Sequence, residues 1–280
     1  MKTHKKIIVF ILTMLVASVF SSCERIKSYL PATEDAEQKD AGFIESRENE
    51  LFAYDVYNDY IAITKYKSKE PNVVIPAEID EKPVTTIASL AFHKNEIPVR
   101  ITLPRTLTTI KSSGFYCCTK LEELIVPDTV TYIGDRAFAW CTSLTRIQLP
   151  KGLTEIPEYA FNNCISLQKI EVPATVTKIG ARSFSWCSAM KRIELPSSVT
   201  SIGKKAFMSC DALEYAIIPS SVTEVGEGVF DYCPSLTVVA DEGSTMFRYI
   251  NENSYTGTTE KPPEESIEES EESSEQSAEE

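Results

Sequence analysis

From Thr85 to about Val239 the apolar and polar positions recur with a step of 23 residues. In "SLTRIQLP", Leu144, Ile147 and Leu149 follow the L-x-x-I-x-L pattern of a short strand with one side inward. Pro150, which has no N–H for a ladder, ends that strand. Leu153 and Ile156 then point back inside, and Ala160-Phe161 open a short helical or turn segment. The same places recur as columns. Pro104, Pro127, Pro150, Pro173, Pro196 and Pro219 form one, and Phe92, Phe115, Phe138, Phe161, Phe184, Phe207 and Phe230 another. Cys118, Cys141, Cys164, Cys187, Cys210 and Cys233 keep the step, as do Thr85, Thr108, Thr131, Thr154, Thr177, Thr200 and Thr223. The unit is written C-x-x-L-x-x-I-x-L-P-x-x-L-T-x-I-G-x-x-A-F-x-x.

A fixed period in the 20–29 range means stacked supersecondary units of the leucine-rich-repeat kind. One unit cannot bury its own apolar face well enough to offset ordering its chain, whereas a stack lets each unit bury its neighbour. The expected fold is a leucine-rich-repeat solenoid, β-rich α/β, of short strands and short helical turns and loops, with a cap at each end. The expected divisions are an N-terminal cap and first atypical repeat over 51–102, an array over 103–239 and a C-terminal cap over 240–255. "YDVYNDYIAITKY" alternates like a hairpin, and Ser244 is placed to begin a capping helix. Gly134, Gly180, Gly203 and Gly226 are expected to ease the bend after the second inward pair, with Lys111 and Pro157 as exceptions.

These columns, running from roughly Asp55 to Tyr255, resemble the 23-residue repeat of the bacterial BspA-like family, also called the Treponema pallidum type. The resemblance implies a solenoid with a curved parallel sheet on one face and short helical turns and loops on the other, on exported or surface-attached proteins that adhere or bind. Met190 in the Leu column and Ala216 in the Ile column are minor departures.

Charge adds a second layer. The chain carries −13, and residues 256–280 hold ten Glu against one Lys. That Glu/Ser-rich stretch is expected to be a disordered acidic tail. No basic stretch suits a phosphate backbone, so nucleic acid is not an expected partner. At the other end Lys2, Lys5 and Lys6 precede an apolar run over Ile7–Phe20. That run is too short to span a bilayer as a helix and fits a signal peptide over 1–22. "VFSSC" resembles a lipobox, which makes Cys23 the expected lipidation site and residues 23–50 a polar tether from the membrane. The alternative is a secreted chain whose lipobox is not used.

Candidate chemistry is sparse. The six periodic Cys lie on equivalent, parallel positions of adjacent coils, so their Cβ vectors do not converge for disulfides; a ladder of small apolar side chains is expected. His93 is the only histidine after the leader, no glycine-flanked nucleophile elbow occurs, and no H-x-x-x-H, paired C-x-x-C or phosphate loop is present. No enzyme activity, metal or cofactor is expected; a hydrolase built around His93 is the remote alternative. Framework columns build, and variable columns recognise. One outward strand column reads Arg100, Glu123, Arg146, Lys169, Arg192, Tyr215, and its companion Thr102, Ile125, Gln148, Glu171, Glu194, Ile217. The expected binding face is a basic stripe of Arg100, Arg146, Lys169 and Arg192 ending in an apolar patch at Tyr215 and Ile217. Trp140 and Trp186, two repeats apart on one edge, are a second candidate. The expectation is a monomeric surface module that recognises an extracellular protein or glycan, with a purely structural envelope role as the competing reading.

Overall fold

The computed structural model describes residues 41–262. The leader over 1–22, Cys23, residues 24–40 of the tether and residues 263–280 of the tail lie outside the described residues. The N-terminal part contains β1 (Phe43–Glu48), β2 (Phe52–Tyr57), β3 (Ile61–Tyr66), β4 (Asn72–Val74), β5 (Glu78–Ile79) and β6 (Lys82–Ile87). Each following coil adds a first and a second short strand. These pairs are β7 (Arg100–Thr102) and β8 (Thr109–Ile110), β9 (Glu123–Ile125) and β10 (Tyr132–Ile133), and β11 (Arg146–Gln148) and β12 (Glu155–Ile156). They continue with β13 (Lys169–Ile170) and β14 (Lys178–Ile179), β15 (Arg192–Glu194) and β16 (Ser201–Ile202), and β17 (Tyr215–Ile217) and β18 (Glu224–Val225). β19 (Thr237–Val239), the helix α1 (Thr245–Glu252) and β20 (Thr256–Thr258) close the stack.

The first strands pair in parallel register, Arg146 opposite both Glu123 and Lys169, so the 23-residue step of the sequence becomes the step between coils. In β7, β9 and β11 the middle residue is buried and its flanks face out, as in Glu123-Leu124-Ile125. Inside, the Phe column is a continuous stack: Phe115, Phe138, Phe161, Phe184 and Phe207 follow one another at 5.3–5.6 Å with interplanar angles of 4–10°. The stack runs into both caps, through Phe92 onto Tyr66 at 5.4 Å and through Phe230 onto Tyr255 at 6.0 Å. The caps therefore extend the same core.

Polar columns tie the coils together. Each cysteine thiol donates to the carbonyl of the Phe in the preceding coil, Cys141 Sγ to Phe115 O and Cys164 Sγ to Phe138 O at 3.2 Å. The ladder of small apolar side chains is thus also a ladder of weak hydrogen bonds, each giving a buried carbonyl a second donor beside the backbone N–H three residues on. The Thr column works similarly: the Thr177 and Thr200 hydroxyls donate to Thr154 O and Thr177 O at 3.2 Å.

Coil contact settles one open expectation and corrects another. The segment around Ala160-Phe161, expected to be helical or a turn, is a run of turns. Arg136, Phe138 and Trp140 donate their N–H to the next coil at 2.8–3.0 Å, while Ala137, Ala139 and Cys141 donate three residues back. A helix would spend every donor within its own coil. The alternation requires left-handed backbone at Arg136 (φ 57°) and Trp140 (φ 64°), and at the matching residues of the other coils. Such a conformation costs an L-residue about 1–2 kcal/mol, offset here by the cross-coil bonds. The Gly column does not ease a bend. A Cβ on Gly180 would lie 2.6 Å from Glu158 N of the coil below, so glycine is there because two backbones nearly touch.

Both lines of strands are interrupted once. The second strands form one sheet ending at β10 and another beginning at β12. In that column Gly134 and Gly180 each donate to the carbonyl one coil back at 2.8 Å, Ile110 and Ile156 respectively. Pro157 has no N–H to give Ile133, which accounts for the break. The first strands break between β13 and β15.

The outer divisions also move. Residues 43–48, assigned to the tether, form β1 and pair antiparallel with β2. Its side chains are almost all exposed, so the strand is held by backbone pairing that hydrophobic periodicity does not register. Residues 256–258, assigned to the tail, form β20 and extend the first-strand line in parallel from β19. Gly257 suits that place because Ile250 of α1 fills the space a side chain would take. Ser244 caps α1, accepting from Phe247 N at 3.1 Å, while Met246 and Ile250 are buried.

Candidate binding surfaces

The outward face of the first-strand line carries the expected stripe, but its members differ. Lys169 pairs with Glu171 at 3.5 Å and Arg192 with Glu194 at 3.3 Å, each with the residue two places on in the chain. Arg100 and Arg146 are exposed, and among the described residues they form no ion pair. The stripe thus divides into a paired half and an open half.

The apolar end of the stripe is corrected. Ile217 is 5% exposed and Tyr215 is half-buried, so they do not form an open patch. Lys261 reaches Glu194 at 3.1 Å, although β20 lies three strands away from β15. Residues 259–261 therefore turn back past β19 and β17 as a strap. Burial works against the charge on Glu194, but the bonds from Lys261 and Arg192 win and hold its carboxyl below the usual range.

The open apolar surface lies at the other end. Val74 is 66% exposed and Ile125 65%, in the companion column that also holds Thr102 and Gln148. Beside them runs a groove of about 750 Å³, lined by Arg100, Thr102, Arg105, Glu123, Ile125 and Gln148 among others. Ile125 is legible as an outward variable position. Val74 is not, because β4 belongs to a cap without the repeat's columns.

Trp140 and Trp186 occupy the left-handed positions of the turn edge. Trp140 packs against Tyr116, Cys117 and Ala139, while Trp186 is 38% exposed and Tyr232, two coils further, 76%. Four residues before each Trp lies a second left-handed column, which includes Arg136, Tyr159, Arg182 and Lys205. The Arg136 and Arg182 guanidinium carbons sit over the Tyr159 ring at 4.5 and 5.8 Å from its centre. That column stands in the sequence as a variable place ahead of A-F, and its residue types alone do not mark it as part of the edge.

The remaining reactive groups are enclosed. Cys117, Cys118, Cys141, Cys164, Cys187 and Cys210 are buried and form no disulfide among the described residues, and burial pushes the Cys164 and Cys187 thiols far up from thiolate. Cys233 is free but half-buried, its thiol lowered by the hydrogen bond with Cys210. His93 stacks on Tyr116 at 5.3 Å, and burial lowers its pKa. Among the described residues no cluster of His, Cys, Asp or Glu is placed to hold a metal, and no helix is long and apolar enough to cross a membrane.

Comparison with known proteins bears on this geometry. The family described as "BspA type Leucine rich repeat region" matches in six copies, over residues 66–189, 108–237 and 154–261. The chain is similar to the crystal structure of a T. pallidum leucine-rich repeat protein, with 29% identity and a TM-score of 0.54, covering 76% of this chain and 98% of that one. It also shares its fold with a leucine-rich repeat protein from Eubacterium ventriosum, at 23% identity and a TM-score of 0.60, covering 67% of this chain and 49% of that one. No curated protein matches.

Proposed function

The chain belongs to the BspA-type leucine-rich repeat family, and from that premise we propose that it is a non-enzymatic binding module displayed outside the cytoplasm. Its ligand is a protein, held by the N-terminal half of the first-strand face. The observation that carries this reading is the conjunction of an unpaired Arg100 and an exposed Ile125 lining one groove with the unpaired Arg146 and exposed Val74 on the adjoining strands. Exposed apolar area supplies affinity when a partner covers it, and unpaired cations orient an acidic partner surface. The stacked core beneath is preformed, so little ordering is lost on binding.

Export and anchoring rest on the basic, apolar and "VFSSC" segments alone. Labelling cells with a tagged fatty acid tests the anchor: the wild type should incorporate it and Cys23→Ala should not.

The face is tested by full-length protein against immobilised matrix glycoproteins and mucins. Arg100→Glu/Arg146→Glu should reduce saturable binding at least tenfold, while Lys169→Glu/Arg192→Glu should have little effect. The opposite order would move the site to the paired half. Absence of saturable binding across the panel would leave the structural envelope role as the better reading.

A further inference from the structure

The turn edge carries a second arrangement, independent of the sheet face. Each coil presents two left-handed residues four apart: Arg136 with Trp140, Tyr159 with Asn163, Arg182 with Trp186, and Lys205 with Ser209. In this conformation Asn and Gly are the easy choices, and bulky side chains are unusual. The fold demands the backbone shape in every coil but does not demand Trp, Tyr or Arg there. Successive coils stand about 4.8 Å apart, so the two Arg–Trp pairs repeat at about 10 Å along the edge.

Among the described residues Arg136, Arg182 and Lys205 form no ion pair, on a chain carrying −13. Tyr159, between the two arginines, is held under both guanidinium groups, which limits their motion while no acceptor among the described residues takes their N–H donors. The neighbouring Trp column contributes the exposed flank of Trp186. Oriented guanidinium donors suit carboxylate or sulfate groups, and an indole face suits the C–H face of a sugar ring.

We propose that this edge binds a linear acidic polysaccharide, with Arg136 and Arg182 taking anionic groups of two sugars along the chain and Trp186 covering a ring between or beside them. The shared chemistry is an anionic sugar polymer. Polygalacturonate and heparin serve as probes to separate carboxylate from sulfate recognition, with dextran and poly-glutamate as the neutral and non-sugar comparisons.

The experiment is titration of full-length protein with each polymer at low and physiological salt. At least one acidic polysaccharide should bind more tightly than poly-glutamate, and dextran should not bind. Arg136→Gln/Arg182→Gln should weaken that binding at least tenfold and Trp186→Ala about fivefold, with thermal unfolding close to wild type. Arg136→Lys/Arg182→Lys keeps the charge but not the planar fork, and should recover only part of the loss. Lys169→Gln/Arg192→Gln, on the paired half of the sheet face, should bind the polysaccharide as the wild type does, which separates this edge from the sheet face. Failure to bind either acidic polysaccharide overturns the proposal. So does binding that matches poly-glutamate and is indifferent to Trp186→Ala, because that is general attraction between opposite charges.

Discussion

Two halves of one sheet face are built from the same strand and differ in almost every surface property. Over β7, β9 and β11 the arginines are unpaired and Ile125 stands in solvent. Over β15 and β17 Arg192 is tied to Glu194, and Ile217 is covered. The sequence of one strand does not create this difference. The companion residue two places on does so for the charges: Lys169 and Arg192 have Glu171 and Glu194 there, where Arg100 and Arg146 have Thr102 and Gln148. Chain from far away does so for the apolar end, where Lys261 crosses back to Glu194. A repeat protein can thus make sites unequal by what it lays over identical scaffolding.

The largest test asks whether the halves are one folding unit. Phe161 stacks between Phe138 and Phe184, near the junction of the two halves, at 5.5 and 5.4 Å. Phe161→Ala should cost about 3–5 kcal/mol in denaturant unfolding. Amide exchange should then rise together in β9 and β17. Protection that survives in one half alone would make the break between β13 and β15 a real boundary of cooperativity.

A smaller effect of opposite sign is expected at the same junction. Ser183 replaces the Ala of other coils, and its buried hydroxyl has no partner. Ser183→Ala should gain about 1 kcal/mol by removing an unsatisfied donor, read from the unfolding midpoint. No gain would mean that the hydroxyl is satisfied in solution.

The smallest expected effect sharpens the strap. Glu194 is half-exposed, so Glu194→Gln should cost less than about 1 kcal/mol. Because its folded pKa lies below the unfolded value, its contribution is present above about pH 4.3 and disappears as the pH falls through the folded value. Proteolysis near Lys261 should increase over that acidic window in the wild type and be equally fast at neutral pH in Glu194→Gln. A strap whose susceptibility ignores both changes would be held by something other than this ion pair.

The array itself was legible because stacking repeats one set of contacts: Phe161, Cys164 and Leu167 meet their equivalents in the next coil, so identical chemistry recurs at identical offsets. The left-handed turns were not legible, since Arg136 and Trp140 adopt them to complete bonds with a neighbouring coil and their own residue types do not announce it. The sheet-face residues were named from their outward columns, but which cations stay unpaired depends on i+2 companions and on Lys261, 67 residues from its partner. β1 and β20 escaped for the same reason, being short polar segments recruited by an existing edge.

Among the described residues are seven sulfhydryl groups without a disulfide, six of them sealed in the wall between coils. While the stack is shut, oxidants find little to attack there. Once it opens in an oxidising medium, six of those sulfur atoms reappear at regular intervals along a loose strand, and bonds formed between them join coils that the intact wall keeps parallel. Such cross-links block the return. Endurance in that setting is therefore governed by how seldom the stack first parts, a matter of rate more than of equilibrium.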